Sequence, residues 1–260
     1  MDVVAVYSES GGVAKTTGAV SVAVCAARDG LRTVLIDLDP RGAATKWLDV
    51  EPVGDGLHVG AILGAEDSEG WAEQLAVPTT FSENLRAIPS ARAVSNREAD
   101  RSDHIEVRLK ASLEGLDADL VVIDCPNRQG GPLTLSALTA ADKIVYAAKA
   151  SGDGVDGVAG ARVSVAQFKR NRERIGAPAQ LEESGIIVTR DRQGFLSIPE
   201  VEAINRLREE GPQLGDLVQQ LAIVAEVRMA GAWYGDYRKG ASILSAYKKI
   251  TGEILGRDIK

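Results

Sequence analysis

Two short stretches of this chain carry residue types that could do chemistry together. In the first, Gly11 and Gly12 are followed by Val13, Ala14, Lys15, Thr16 and Thr17. Paired glycines let a backbone curl with its N–H groups inward, and a lysine followed by hydroxyls can meet phosphate oxygens and a divalent cation. In the second, Asp37-Leu38-Asp39 sets two carboxylates at alternate positions, so both project to one side of an extended chain. A third carboxylate, Asp124, closes the apolar run Leu120-Val121-Val122-Ile123. Neighbouring carboxylates demand a cation, and hard oxygen donors suit Mg²⁺. The chemistry implied is the grip of a magnesium nucleoside triphosphate, with Lys15, Asp39 and Asp124 as candidate catalytic groups.

Such groups work only if a scaffold brings them together. Short β-branched runs at 3–6, 33–36, 120–123, 143–147 and 186–188 predict strands, with a weaker one at 85–88 and a further candidate at 221–224. Apolar residues at spacings of three and four predict helices over 100–113, 158–174, 198–210 and 241–254. An Ala/Val-rich crossover helix is predicted over 16–28, closed by Gly30. This alternation reads as α/β, a mostly parallel twisted sheet with helices on both faces. In open sheets of that kind ligands bind outside the carboxyl ends of the strands, where the glycine turn and the three aspartates fall. The Gly-rich, acidic stretch 51–80 reads as a peripheral excursion, so residues 1–260 read as one domain.

Composition narrows the function. Lys and Arg number 30 against 37 Asp and Glu, a formal net charge of −7, which disfavours a protein that coats nucleic acid over its whole surface. At 45% hydrophobic and 26% charged residues, the chain has the balance of an ordinary globular domain. Cys25 and Cys125 lie far apart and His58 and His104 are the two histidines, so neither a disulfide framework nor a zinc finger can be written. A reducing cytoplasm is the expected compartment. Asp2 and a strand-like run follow Met1 directly, and no apolar stretch is long enough to cross a bilayer, so secretion and membrane insertion are not expected. The start at a strand leaves no space for an N-terminal helix-turn-helix, so operator-specific DNA binding is not expected either.

The glycine turn departs from the general phosphate loop, which has glycine where Glu9 and Ala14 stand. The shifted pair in Ser10-Gly11-Gly12-Val13-Ala14-Lys15-Thr16-Thr17 resembles KGGVGKTT, the deviant Walker A loop of the ParA/MinD (Soj-like) family of partitioning and positioning ATPases. Leu35-Ile36-Asp37-Leu38-Asp39-Pro40-Arg41-Gly42-Ala43-Ala44-Thr45 is similar to that family's LIDLDPQGNAT switch I segment. Leu120 to Pro126 resembles its IIIDCPP strand and switch II, and Leu138-Thr139-Ala140-Ala141-Asp142 its NALTAAD helix end. Gly185 to Arg190 and Ala246 to Ile250 resemble its GVVLT strand and final helix.

The resemblance implies a three-layer P-loop NTPase fold and an ATP hydrolase using ATP and Mg²⁺. On it, Gly11, Gly12, Val13, Ala14, Lys15, Thr16 and Thr17 bind the nucleotide, Lys15 meets the β- and γ-phosphates, and Thr16, Asp37 and Asp124 serve the metal. Asp39 orients the attacking water, and Thr189-Arg190-Asp191 lie near the base. It also implies an ATP-dependent homodimer that binds nonspecific DNA, a ParB-like centromere-binding partner and a nucleoid-associated cytoplasmic location. Arg228, Arg238, Lys239, Lys248 and Lys249 are the cations available for DNA, or else an ordinary solvated face. The family's signature lysine is replaced by Ser10, which is short and neutral. Either another cation substitutes, with Arg41 and Arg128 as candidates, or the dimer works differently. A nucleotide-gated scaffold with little or no hydrolysis is therefore the alternative. A MinD-like membrane role would need the amphipathic stripe of 241–260 to be free, and core packing is the reading preferred.

Overall fold

A computed structural model describes residues 1–178, 180–191 and 194–259. Along the chain run β1 (Asp2–Tyr7), α1 (Lys15–Arg28), β2 (Thr33–Asp37), α2 (Ala43–Trp47), α3 (Val59–Gly64), α4 (Trp71–Leu75), β3 (Val77–Pro78), β4 (Leu85–Ile88) and α5 (Ile105–Ser112). Then follow β5 (Leu120–Asp124), α6 (Gly131–Ala140), β6 (Lys143–Lys149), α7 (Gly152–Arg174), β7 (Glu182–Arg190), α8 (Ile198–Glu210), β8 (Val218–Gln219), α9 (Ala222–Met229) and α10 (Ala241–Leu255). The eight strands form one sheet in the order β3-β4-β2-β5-β1-β6-β7-β8, parallel throughout except where β3 runs against β4.

The central strands are apolar on both sides because helices cover both faces. Along β1, Val3, Ala5 and Tyr7 point into a layer with α3, α5, α6, α7 and α8, while Val4 and Val6 point into one with α1, α2, α9 and α10. The small residues of α1 follow from its position, buried between the sheet and α10. Its C-terminus is closed by Gly30 at φ 93°, with Leu31 N–H donating to Ala26 O and Gly30 N–H to Ala27 O, both at 3.1 Å.

Several expectations need correction. Helix α7 starts at Gly152 rather than 158, because Ser151 caps its first turn, its Oγ accepting from Gly154 N–H at 3.3 Å, ahead of the apolar spacing that marked the helix in sequence. Residues 221–224 are not a strand: they open α9, whose Ile223, Val224 and Val227 share one buried face, and the strand nearby is β8. A four-residue apolar run fits either element until its neighbours decide. The stretch 51–80 is not peripheral, because Val59, Ile62, Leu63 and Leu75 are buried in the core from α3 and α4. Helix α5 starts at Ile105 rather than 100, after His104 adopts a left-handed turn at φ 59°. Helix α6 escaped periodicity altogether, since most of its residues are buried and its exposed position, Leu135, is apolar, which leaves no polar stripe.

An aromatic cluster ties α2 to the segment after α9. The Trp47 and Trp233 rings lie 6.2 Å apart, Trp233 and Tyr234 3.9 Å apart, and Trp47 Nε1 donates to Ala232 O at 2.8 Å. Among the described residues no helix is long and apolar enough to cross a membrane. The apolar stripe of α10, Ile243, Tyr247, Ile250 and Ile254, is buried in the same layer as α1.

Candidate phosphate-binding site

The sheet order places β1 between β5 and β6, so the loop 8–14 leaves β1 beside the carboxyl ends of its neighbours and enters α1. A cleft of about 190 Å³ opens there, floored by Gly11, Gly12, Ala14, Lys15, Thr16 and Thr17. Asp39, Arg41, Ala43, Asn127 and Arg228 form its other walls. Gly12 takes φ 72°, as an inward-curling loop requires. Val13 buries its side chain in the core, which leaves its backbone to the loop. Ala14 sits at φ 67°, a left-handed conformation that a methyl group disfavours.

Lys15 is buried, and its Nζ donates to Ser10 O at 3.0 Å. Burial lowers its pKa, while the nearby Asp124 and Asp39 charges oppose that shift. Asp37 and Asp124 face each other across β2 and β5. Asp37 Oδ2 accepts from Thr45 N at 2.8 Å and Thr45 Oγ1 at 2.7 Å, and Oδ1 accepts from Asp39 N at 3.2 Å. Burial pushes its pKa up to about 6 despite those Thr45 bonds. Asp124 is fully buried, and neither carboxylate oxygen has a hydrogen-bond partner among the described residues. Burial first, then the Asp37 charge, drives its pKa well above the usual carboxylate range, against the pull of Thr16 and Lys15.

A buried carboxylate with both oxygens unpartnered, beside a hydroxyl and an ammonium, fits a hard cation that arrives with its own phosphate oxygens. Among the described residues no cluster of three His, Cys, Asp or Glu could hold a metal by itself. That too suits Mg²⁺, which is usually held by one or two carboxylates plus substrate phosphates. Cys125, buried beside Asp124, has its thiol pKa driven far up by burial and then by the Asp124 charge, so it stays protonated and inert.

The other sequence candidates divide by place. Arg41 lines the cleft, whereas Arg128 lies outside it, 3.7 Å from Glu98, with its carbonyl accepting from Tyr7 OH at 2.9 Å. Arg228, grouped in sequence with the C-terminal cations, also lines the cleft, its guanidinium 5.6 Å from the centre of the Trp47 ring. Arg238 and Lys239 are exposed just before α10, Lys248 is half-buried, and Lys249 pairs with Asp216 at 3.1 Å. Thr189 Oγ1 donates to Ala148 O at 3.2 Å, Arg190 pairs with Glu200 at 3.2 Å, and Asp191 pairs with Lys149. Sequence reasoning assigned no role to Thr45, whose hydroxyl joins Asp37 to Ser90 N at 2.8 Å. Its signal was its place at the end of the switch-like segment.

A glycine turn leading into a helix from a central parallel strand, with aspartates on the flanking strand ends, defines a phosphate-loop α/β nucleotide-binding protein. A family model described as an AAA domain matches residues 1–175, and the chain belongs to this family as an ATPase of the ParA/Soj/MinD kind. It is 29% identical over 254 residues to the chromosome-partitioning ATPase Soj of Thermus thermophilus, covering 98% of this chain and 95% of that protein. To the sporulation initiation inhibitor protein Soj of Bacillus subtilis it is 37% identical over 147 residues, 55% of this chain and 56% of the relative, so that match spans about half of the relative's length. Cobyrinic acid a,c-diamide synthase from Mycobacterium smegmatis, solved with bound ADP and magnesium, superposes with a TM-score of 0.75 at 26% identity over 100% of this chain and 98% of that one.

Proposed function

We propose that the protein is a ParA-like ATPase for plasmid or chromosome partition, an ATP-switched dimer that binds nonspecific DNA and is stimulated by a ParB-like partner. The observation that carries the nucleotide part is the buried Asp124, unpartnered among the described residues and close enough to Lys15 and Thr16 of the cleft wall to feel both. Gly11 to Thr17 would hold the phosphates through inward N–H groups, the start of α1 and the Lys15 ammonium. Thr16, Asp37 and Asp124 would hold Mg²⁺, which supplies charge neutralisation on the phosphates. Asp39, held at the rim by Arg41 N–H donating to its Oδ1 at 2.9 Å, would orient the attacking water. Because Thr45 bonds Asp37 and stands within α2, a change at the carboxylate is passed to α2 and on to the aromatic cluster. Nucleotide state then sets the population of the DNA-binding dimer.

Arg41 is the cation proposed to stand in for the missing lysine, since it faces the cleft and Arg128 does not. Weak hydrolysis with a scaffold role is the second reading, favoured by Ser10, whose hydroxyl donates to Asp153 O at 2.8 Å and so faces α7. A membrane-positioning role has less support, because the α10 stripe is packed inside. Calorimetry with Mg·ATP tests the core of the reading: Lys15→Ala should lose about 1.5–3 kcal/mol, roughly 10- to 100-fold in affinity. Parent-like affinity in that variant would contradict it. Hydrolysis assays with DNA and the product of the adjacent gene separate the two readings, and Arg41→Ala should lower the stimulated rate. Unchanged turnover there removes Arg41 from the role.

A further inference from the structure

Ser10 is more than the absence of a lysine. Its hydroxyl donates to Asp153 O at 2.8 Å, in the first turn of α7. One residue earlier, Glu9 Oε1 accepts from Ser164 Oγ on α7 at 2.7 Å and from Tyr7 OH at 3.2 Å. The helix has glycine where these residues meet it. A methyl group built at Gly157 would stand 2.2 Å from Ser10 Oγ, 2.7 Å from its Cβ and 3.1 Å from its N. One at Gly160 would stand 2.4 Å from Glu9 Oε2. From the clamped segment, the Ser10 carbonyl reaches back to accept from Lys15 Nζ at 3.0 Å.

We infer that Ser10 and Glu9 are positioning residues: they pin the entrance of the phosphate loop to α7 within one subunit, and through the Ser10 carbonyl they aim Lys15 at the cleft. This rests on the nucleotide-binding reading above and deepens it. The consequence is a nucleotide site preorganised in the single chain, with the loop entrance committed to its own helix instead of to a neighbouring copy. Gly157 is part of the device, since the close approach it permits leaves Ser10 no rotamer that escapes an added methyl.

A double-mutant cycle tests the clamp, read by Mg·ATP affinity, by amide hydrogen exchange over residues 9–15 and by thermal midpoint. Gly157→Ala should weaken ATP binding roughly tenfold or more and speed exchange in the loop. Adding Ser10→Gly, which removes both the hydroxyl and the Cβ that the methyl strikes, should relieve the clash and bring the affinity back up to the level of a protein lacking only the Ser10 hydroxyl. Ser10→Ala alone should lose several-fold in affinity with an unchanged midpoint. Ser10→Lys should bind ATP more weakly than the parent and gain no turnover. Parent-like affinity in Gly157→Ala, additive losses without recovery in the double variant, or faster hydrolysis in Ser10→Lys would each overturn the inference. Lys15→Ala measured alongside separates the two failures: if it alone loses ATP, the clamp is wrong and the nucleotide site stands.

Discussion

Ala14 and Asp124 both carry a local cost at the place where the nucleotide would sit, the pattern in which a binding site departs from what folding alone prefers. For Ala14 the cost is the methyl at φ 67°. Ala14→Gly should raise stability by about 0.5–1 kcal/mol in urea unfolding, and a loss would mean the methyl makes packing contacts that outweigh its strain. For Asp124 and Asp37 the cost is burial of charge. Their folded pKa values lie above the unfolded ones, so the folded chain holds protons that the unfolded chain releases near pH 4. Their contribution is fully present below the unfolded pKa and is lost as pH rises through the folded one, for Asp37 about 6. Without nucleotide, the melting midpoint of Asp124→Asn should therefore exceed the parent's near neutral pH, with the gap closing toward about pH 4. A gap independent of pH would show that the carboxylate is not held protonated by its surroundings.

Elements differ in how openly the sequence displays them. Strands β1, β2 and β5 were legible to within a residue at each end because parallel strands buried on both faces read as apolar runs rich in β-branched residues, while β4, Leu85-Arg86-Ala87-Ile88, gave a weaker signal. That the glycine turn and the three aspartates would gather at the carboxyl ends of the strands was legible because residue type and spacing put them just after the strand runs. Periodicity could not find α6, whose exposed position is itself apolar, Leu135, nor α3 and α4, whose few apolar residues are diluted by glycine and acidic turns. Nor could it place Arg228, since the cleft forms only when α9 folds back beside α2. The corrected status of 51–80 has a measurable consequence at this scale. Leu63→Ala should cost about 2–5 kcal/mol in chemical unfolding, as a core truncation does. A cost under about 0.5 kcal/mol would return the segment to the surface.

Over the whole molecule the net charge of −7 bears on the proposed DNA binding. Part of the C-terminal positive charge is spent on neighbours: Arg257 pairs with Asp29 at 2.8 Å and Lys249 with Asp216 at 3.1 Å. Arg238 and Lys239 are exposed and make no ion pair among the described residues, which leaves them best able to meet phosphates. Changing both to alanine should weaken ATP-dependent DNA retention on all sequences alike and, with two cations lost from each subunit of the dimer, flatten its salt dependence by roughly two to four units of slope. A parent-like slope would assign DNA to another face.

The cluster of tilted rings beside α2 also makes this chain its own optical instrument. Of three indoles, Trp47 and Trp233 sit together on one side of the sheet, while Trp71 packs on the other and can serve as an internal reference. Emission excited selectively from indole should thus shift when ligand enters, without dye or tag, and a Trp71→Phe protein would isolate the paired chromophores for stopped-flow work.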